Sequence, residues 1–216
     1  MGISDDPLHI CAAARLAQAD LIEVDRQLSA KHNLDGQWVL LVKLALVSVA
    51  NLDDLEKAVR PIYVRHPGVS VEYKKFAKHF GFAKYVRNIL VGHTNEHLIA
   101  KSIEWKPELR SLLLESRPDA AFLTNLFILE TAINTYVDQA EKHLIFDSET
   151  DLVYPPDWHR FLTFLEQVVR GGLGFLGALI EAVQAEIPPS PHGDELKKLY
   201  EAAGQTTFRR ITKTGK

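Results

Sequence analysis

The residues of this chain best suited to chemistry lie between positions 85 and 97. Arg87, the adjacent Asn88 and His93 come at the end of an otherwise amphipathic segment. A guanidinium offers a planar fork of N–H donors to phosphate oxygens, and an imidazole exchanges protons near neutral pH. Asn88 would orient either group or hold the substrate. Together the three side chains are suited to binding and cleaving a phosphodiester without a metal ion or cofactor.

The same histidine belongs to a second pattern, His93-Thr94-Asn95-Glu96-His97. Histidines four residues apart on one helix can bind a zinc ion, with the glutamate between them acting as a base. Gly92 weakens this interpretation because it favours a break where a ligand-bearing helix should be rigid. A zinc hydrolase using His93, Glu96 and His97 is therefore an alternative to the metal-free site.

The helix that carries Arg87 is amphipathic. At about 100° per residue, Arg87 falls inside the apolar arc of the predicted helix, beside Phe80, and His93 also falls inside it if the helix continues. Burying an unpaired guanidinium costs several kcal/mol. We therefore expect Arg87 either to pair with a carboxylate, such as that of Glu130, or to face a cleft. The arc is formed by Phe76, Phe80, Phe82, Ala83, Val86, Ile89 and Leu90.

Arg87-Asn88 followed by His93 resembles the Arg-polar-spacer-His motif of the HEPN superfamily, a group of all-helical domains that includes many RNase toxins and abortive-infection proteins. The resemblance covers about a dozen residues and the fold class. It implies metal-independent RNA cleavage in which the ribose 2′-OH is the nucleophile. It also implies a homodimer through the helix carrying Arg87 and His93, and allows for a cognate antitoxin. A non-catalytic interaction or nucleotide-binding module on the same helices is the alternative.

Composition restricts the classes of protein to consider. The 216 residues are 46% hydrophobic and 25% charged, with a net charge of −3, which argues against a broadly basic nucleic-acid-coating protein. The single cysteine permits no internal disulfide. The acidic N-terminal segment does not resemble a signal peptide. The apolar runs at 38–50 and 161–187 contain charged residues and are interpreted as buried helices, so we expect a cytoplasmic protein without membrane contact.

Apolar periodicity predicts an all-α, up-and-down bundle of five to seven helices, HEPN-like in type. The predicted domain is 1–187, followed at 188–216 by a Pro-rich linker, a short terminal helix and a basic tail. Asp35, Ser70 and Asp157 are the expected N-caps. Helices are expected at about 7–31, 36–60, 70–92, 104–117, 122–144, 157–187 and 195–203.

Other polar residues have less specific interpretations. Glu130, Asp138 and His143 would lie on the helix at 122–144, either on a solvated face or near the motif as supporting groups. The segment Arg170-Gly171-Gly172-Leu173-Gly174 lacks the lysine and the preceding strand of a phosphate loop. We therefore expect its glycines to serve close helix packing or a helix kink.

Overall fold

The computed structural model describes residues 6–30, 33–92, 95–115 and 117–207. Within these ranges the regular secondary structure is helical, apart from one isolated β-bridge between Val137 and His143, and the all-α prediction is confirmed. The described residues form eight α-helices, against the five to seven predicted. They are α1 (Pro7–Ala30), α2 (Gly36–Val59), α3 (Pro67–Val86), α4 (Glu96–Trp105), α5 (Glu108–Leu114), α6 (Ala120–Asn134), α7 (Pro155–Gln184) and α8 (Asp194–Gly204).

Four long helices make the main bundle. The 30-residue α7 packs along α1 and α3, and α2 packs against the same two helices. Helices α2, α3 and α7 supply fully buried aromatic side chains to the core between them. These aromatic residues are Trp38, Phe80, Phe82, Phe161 and Phe175. Burial of such large apolar surfaces is the main force holding α3, and thus Arg87 at its end, in place.

Two adjacent glycines let α7 approach its neighbours. A Cβ placed on Gly171 would lie 2.5 Å from Cγ of Phe76 on α3, and one on Gly172 would lie 2.9 Å from a methyl carbon of Leu21 on α1. Only a residue without a side chain fits such distances. The prediction of close helix packing is confirmed for Gly171 and Gly172, whereas an added Cβ on Gly174 would have nothing within 4 Å.

Helix α7 is also the one described helix whose length and hydropathy would allow it to cross a membrane. In the bundle, 56% of its apolar window is buried. Many of its apolar side chains, including Leu165, Val169 and Leu176, are fully buried. Core packing therefore accounts for the apolar character of this segment, as expected for a buried helix.

Helices α4, α5 and α6 form a smaller layer. The first two pack on α6, which in turn contacts α2 and the end of α3. Lys106, at the junction of α4 and α5, forms an ion pair with the fully buried Glu130 of α6. Glu130 also accepts a hydrogen bond of 2.9 Å from the backbone N–H of Leu152. One buried carboxylate thus connects the small layer to the segment that leads into α7.

The predicted helix at 122–144 is too long, because α6 ends at Asn134. The Asn134 amide exchanges two hydrogen bonds of 2.9 Å with the backbone of Thr150, which draws a distant segment against the helix end. Beyond it the chain reverses in a short turn, in which Asp138 accepts hydrogen bonds from the backbone of Ala140 and Lys142. These contacts replace the helical hydrogen bonds that the apolar periodicity alone would favour.

Helix starts agree with the expected caps in one case of three. Asp35 caps α2 by accepting a 2.9 Å hydrogen bond from the Trp38 N–H. The third helix begins at Pro67, before Ser70, and α7 begins at Pro155, before Asp157. Both begin with a proline because its fixed φ suits the first helical position and its missing N–H costs nothing there.

Helix α8 follows the Pro-rich segment near the position predicted for a terminal helix. It has no buried residue. The expected basic tail falls mainly at 208–216, outside the described residues.

Candidate functional site

Arg87 lies at the start of an irregular turn. Residues Arg87–Val91 continue α3 as a π-helical turn, in which the Gly92 N–H donates a 3.0 Å hydrogen bond to the Arg87 carbonyl oxygen. The wider turn rotates the residues that follow relative to a regular α-helix. Single π-turns occur frequently at functional positions. The helix predicted to end near Gly92 therefore does so, but not as a regular α-helix.

The Arg87 guanidinium is held at the surface by two side chains. One terminal nitrogen donates to Asp54 Oδ2 of α2 at 3.2 Å, and the other donates to Asn88 Oδ1 at 3.0 Å. The Arg87 side chain is 24% exposed, and Asn88 is exposed. A guanidinium has five N–H donors. Each terminal nitrogen thus keeps one N–H without a partner among the described residues.

The expected partner of Arg87, the Glu130 carboxylate, is wrong. Glu130 is fully buried and pairs with Lys106, while Arg87 pairs with Asp54, whose side chain is 51% exposed. Glu130 lies neither on a solvated face nor beside Arg87. Because the true partner belongs to α2, 33 residues before Arg87, periodicity within α3 could not identify it.

Asp54 belongs to a charged cluster between α2 and α3, which we call the α2–α3 cluster: Asp53, Asp54, Lys57, Lys84 and Arg87. Lys84 contacts both carboxylates, with Nζ 2.8 Å from Asp53 Oδ2. Lys57 Nζ lies 3.0 Å from the same oxygen. Three cations and two carboxylates give the cluster a formal charge of +1. The cluster itself is therefore positive, whereas the whole chain has a net charge of −3.

The Asp53 carboxylate of the cluster stays ionised well into the acid range. Burial opposes ionisation of Asp53, but hydrogen bonds from Lys84, Tyr73 and Lys57 outweigh it and lower its pKa to about 2. Burial likewise acts to lower the pKa of Lys84, and the two aspartates reverse this effect and raise it. Asp53 and Lys84 therefore keep their charges through the pH range in which a histidine exchanges protons.

His93, the third predicted site residue, lies outside the described residues, as does Thr94. The described chain resumes at Asn95, whose side chain accepts hydrogen bonds from the N–H groups of His97 and Leu98. Asn95 has an extended backbone (φ −101°, ψ 108°) and is the N-cap of α4. Glu96 and His97 therefore lie in the first turn of α4, and the zinc interpretation stays a prediction because its other histidine, His93, lies outside the described residues.

An open pocket of about 300 Å³ lies between α4 and the end of α3, next to Asn95. Tyr85 and Ile89 line one side, and His97 and Lys101 line the other. The tyrosine is oriented by a 3.0 Å hydrogen bond to the Thr135 carbonyl oxygen. Asn95 before Glu96 is a recognisable N-cap signal in the sequence, so this start of α4 was predictable, although the cavity was not.

The other polar candidates have structural contacts. His143 Nδ1 accepts backbone hydrogen bonds from Ile145 and Phe146 at 3.0 and 2.9 Å, and Nε2 lies 2.8 Å from the Ile133 carbonyl oxygen. This pattern requires the neutral Nε2–H tautomer. Burial lowers the pKa of His143, consistent with that form. Asp138 and His143 thus organise the turn after α6.

Comparison with known proteins gives no family for this chain. No protein-family model, curated protein or solved structure matches it. Any functional assignment therefore depends on the geometry around Arg87 and on the sequence that follows it.

Proposed function

We propose that this chain is a HEPN-like, metal-independent endoribonuclease of toxin or defence type. The observation that carries the proposal is the Arg87 guanidinium, which is fixed at the surface by Asp54 and Asn88 yet keeps donors for a ligand. A guanidinium with an unpaired N–H on each terminal nitrogen can donate to two oxygens of a phosphate. The positive charge of the α2–α3 cluster would favour an anionic substrate.

In the proposed reaction the ribose 2′-oxygen attacks the adjacent phosphorus and the bond to the 5′-oxygen breaks. His93 moves the protons, from the attacking hydroxyl or to the leaving oxygen. Arg87 stabilises the charge that develops on the phosphate oxygens, and Asp54 and Asn88 hold it in position. The products are a 2′,3′-cyclic phosphate and a free 5′-hydroxyl. No atom is required from a metal ion or cofactor.

The proposed assembly is a cytoplasmic homodimer in which the π-turns of two copies face each other. A dimer would give RNA a longer positive surface than one cluster provides. A partner antitoxin would act by covering that surface. These features of the proposal rest on the resemblance of Arg87-Asn88…His93 to the HEPN motif.

The test is cleavage of a mixed-sequence RNA by the purified chain in the presence of EDTA. Arg87→Ala and His93→Ala should each lower the rate at least about 100-fold, the usual loss for a transition-state donor or a general acid–base group. Arg170→Ala is the matched control, because Arg170 also forms a partly exposed ion pair, with Asp25 of α1. Equal rates for all three variants would contradict the proposal.

Two other results would identify the alternatives. RNA binding that depends on Arg87 but never leads to cleavage would favour the non-catalytic module. Cleavage that EDTA abolishes and zinc restores would favour a metallohydrolase that uses His93, Glu96 and His97.

A further inference from the structure

A lysine without a carboxylate partner lies in a groove between α2 and α6. Lys43 is half-buried, and it is the only charged residue between Asp35 and Asp53. Its Nζ donates one hydrogen bond, of 2.6 Å, to the side-chain oxygen of Asn125 on α6. An ammonium group has three N–H donors. Two N–H groups of Lys43 therefore have no partner among the described residues.

The acidic residues nearest to this groove along the chain already have cationic partners. Glu130 is the only charged residue of α6, and it pairs with Lys106. Asp119, directly before α6, accepts hydrogen bonds of 3.0 and 2.8 Å from Arg117. Burial lowers the pKa of Lys43, and no carboxylate opposes this effect.

Two other partly buried lysines show what Lys43 lacks. Lys84 contacts two aspartates, and Lys106 contacts the buried Glu130. In both cases the carboxylates outweigh the effect of burial and raise the pKa of the lysine. Burial of a charge is costly unless a counter-charge accompanies it. An anion from outside the chain would supply that counter-charge to Lys43.

The groove beside the ammonium is apolar and has a volume of about 440 Å³, within the range of small-molecule sites. Val39 and Leu40 line its α2 side, and Ala121 and Phe122 line its α6 side. Leu40 is 69% exposed, so apolar surface is open to a ligand. The Asn125 amide nitrogen donates a 2.9 Å hydrogen bond to the Ala121 carbonyl oxygen, which leaves the side-chain oxygen to face the ammonium.

We propose that this α2–α6 groove binds a small carboxylic acid with an aliphatic chain. The carboxylate accepts hydrogen bonds from the two unpaired N–H groups of Lys43, and the chain lies against Leu40 and Phe122. One cation balances one negative charge, whereas a phosphate monoester carries nearly two and would leave charge unbalanced in an apolar groove. The inference is independent of the proposed ribonuclease, because no residue from 85–97 lines the groove.

The direct test is calorimetric titration of the full chain with butanoate, octanoate and octanol. Octanoate should bind at least about tenfold more tightly than butanoate, because each of its four additional methylenes gains about fourfold when fully buried and about twofold when half-buried. Octanol should bind at least about tenfold more weakly than octanoate, because it lacks the charge-assisted hydrogen bonds.

Two substitutions separate the contributions of the charge and of the chain. Lys43→Met keeps an apolar side chain and should weaken octanoate binding at least about tenfold, to the level of octanol. Leu40→Ser, at an exposed position, should weaken octanoate binding by about threefold and leave butanoate binding nearly unchanged. Lys101→Met is the matched control, because Lys101 is also partly buried but pairs with Glu104 outside the groove. It should bind octanoate like the wild type.

Protection from chemical labelling locates the ligand. Octanoate should slow the acetylation of the Lys43 amine by acetic anhydride and leave that of Lys101 unchanged, as measured by mass spectrometry. Equal octanoate affinity of the wild type and Lys43→Met would overturn the proposal and show that the Lys43 stem only covers apolar surface. Equal affinities for octanoate and octanol, or no saturable binding of octanoate, would overturn it as well.

Discussion

Gly171 offers the sharpest test of how α3 is held against α7. An added methyl group at Gly171 would lie 2.5, 2.6 and 2.7 Å from Cγ, Cδ2 and Cδ1 of Phe76. These atoms are at the base of the ring, so a small rotation of the ring tip cannot relieve the overlap. Gly174, one turn away on the same helix, has nothing within 4 Å of an added Cβ.

The two positions form a matched pair for substitution by alanine. Replacing glycine by alanine inside a helix gains about 1 kcal/mol at either site. Overpacking at Gly171 costs about 1–3 kcal/mol in addition. We expect Gly174→Ala to stabilise the protein. The Gly171→Ala variant should be less stable than the Gly174→Ala variant by about 2 kcal/mol, or about 4–8 °C in Tm.

The assay is urea unfolding followed by circular dichroism, with thermal unfolding as a check. In a Phe76→Ala background, Gly171→Ala should no longer be destabilising relative to Phe76→Ala alone, because the methyl group then has space. If Gly171→Ala and Gly174→Ala are equally stable, the close approach of α3 and α7 is wrong, and with it the position of the helix that presents Arg87.

Three further predictions concern ionisable groups. Lys106→Met leaves the buried carboxylate of Glu130 without its cation and should lower the free energy of unfolding by about 3–5 kcal/mol. Lys101→Met removes an exposed ion pair and should change the free energy of unfolding by at most about 1 kcal/mol. Equal effects of the two substitutions would contradict the burial of Glu130. Because its pKa is lowered to about 2, Asp53 should stabilise the fold above about pH 4 and lose this contribution, about 2 kcal/mol, as the pH falls towards 2. The stability difference between wild type and Asp53→Asn should shrink over that range in urea titrations, and a constant difference would refute it. For His143, nitrogen-15 NMR should find Nδ1 unprotonated at pH 7; a protonated Nδ1 is incompatible with its two accepted hydrogen bonds.

Local sequence signals predicted the helices that bury one continuous face. The helices expected at 7–31 and 36–60 are observed as α1 and α2, because apolar spacing and the Asp35 cap are properties of neighbouring residues. The end of α6 depends instead on hydrogen bonds between Asn134 and Thr150. The apolar periodicity of α6 could not predict where the helix ends, because Thr150 lies 16 residues beyond Asn134.

The surroundings of Arg87 were predictable in part. The position of Arg87 on the apolar arc predicted a carboxylate partner or a cleft, and a carboxylate partner is observed in Asp54. Asp54 and Lys84 could not be placed beside Arg87 from spacing alone, because their pairing depends on how α2 and α3 pack. The Asp53-Asp54 pair on α2 was the one available signal.

The central claim is that Arg87 and His93 cleave RNA through the 2′-hydroxyl. Its most direct test is end-group analysis of RNA incubated with the purified chain and EDTA. The account predicts new 2′,3′-cyclic phosphate and 5′-hydroxyl ends with the wild type and with Arg170→Ala, and none above background with Arg87→Ala or His93→Ala. Intact RNA with the wild type, or the same ends with Arg87→Ala, would contradict it.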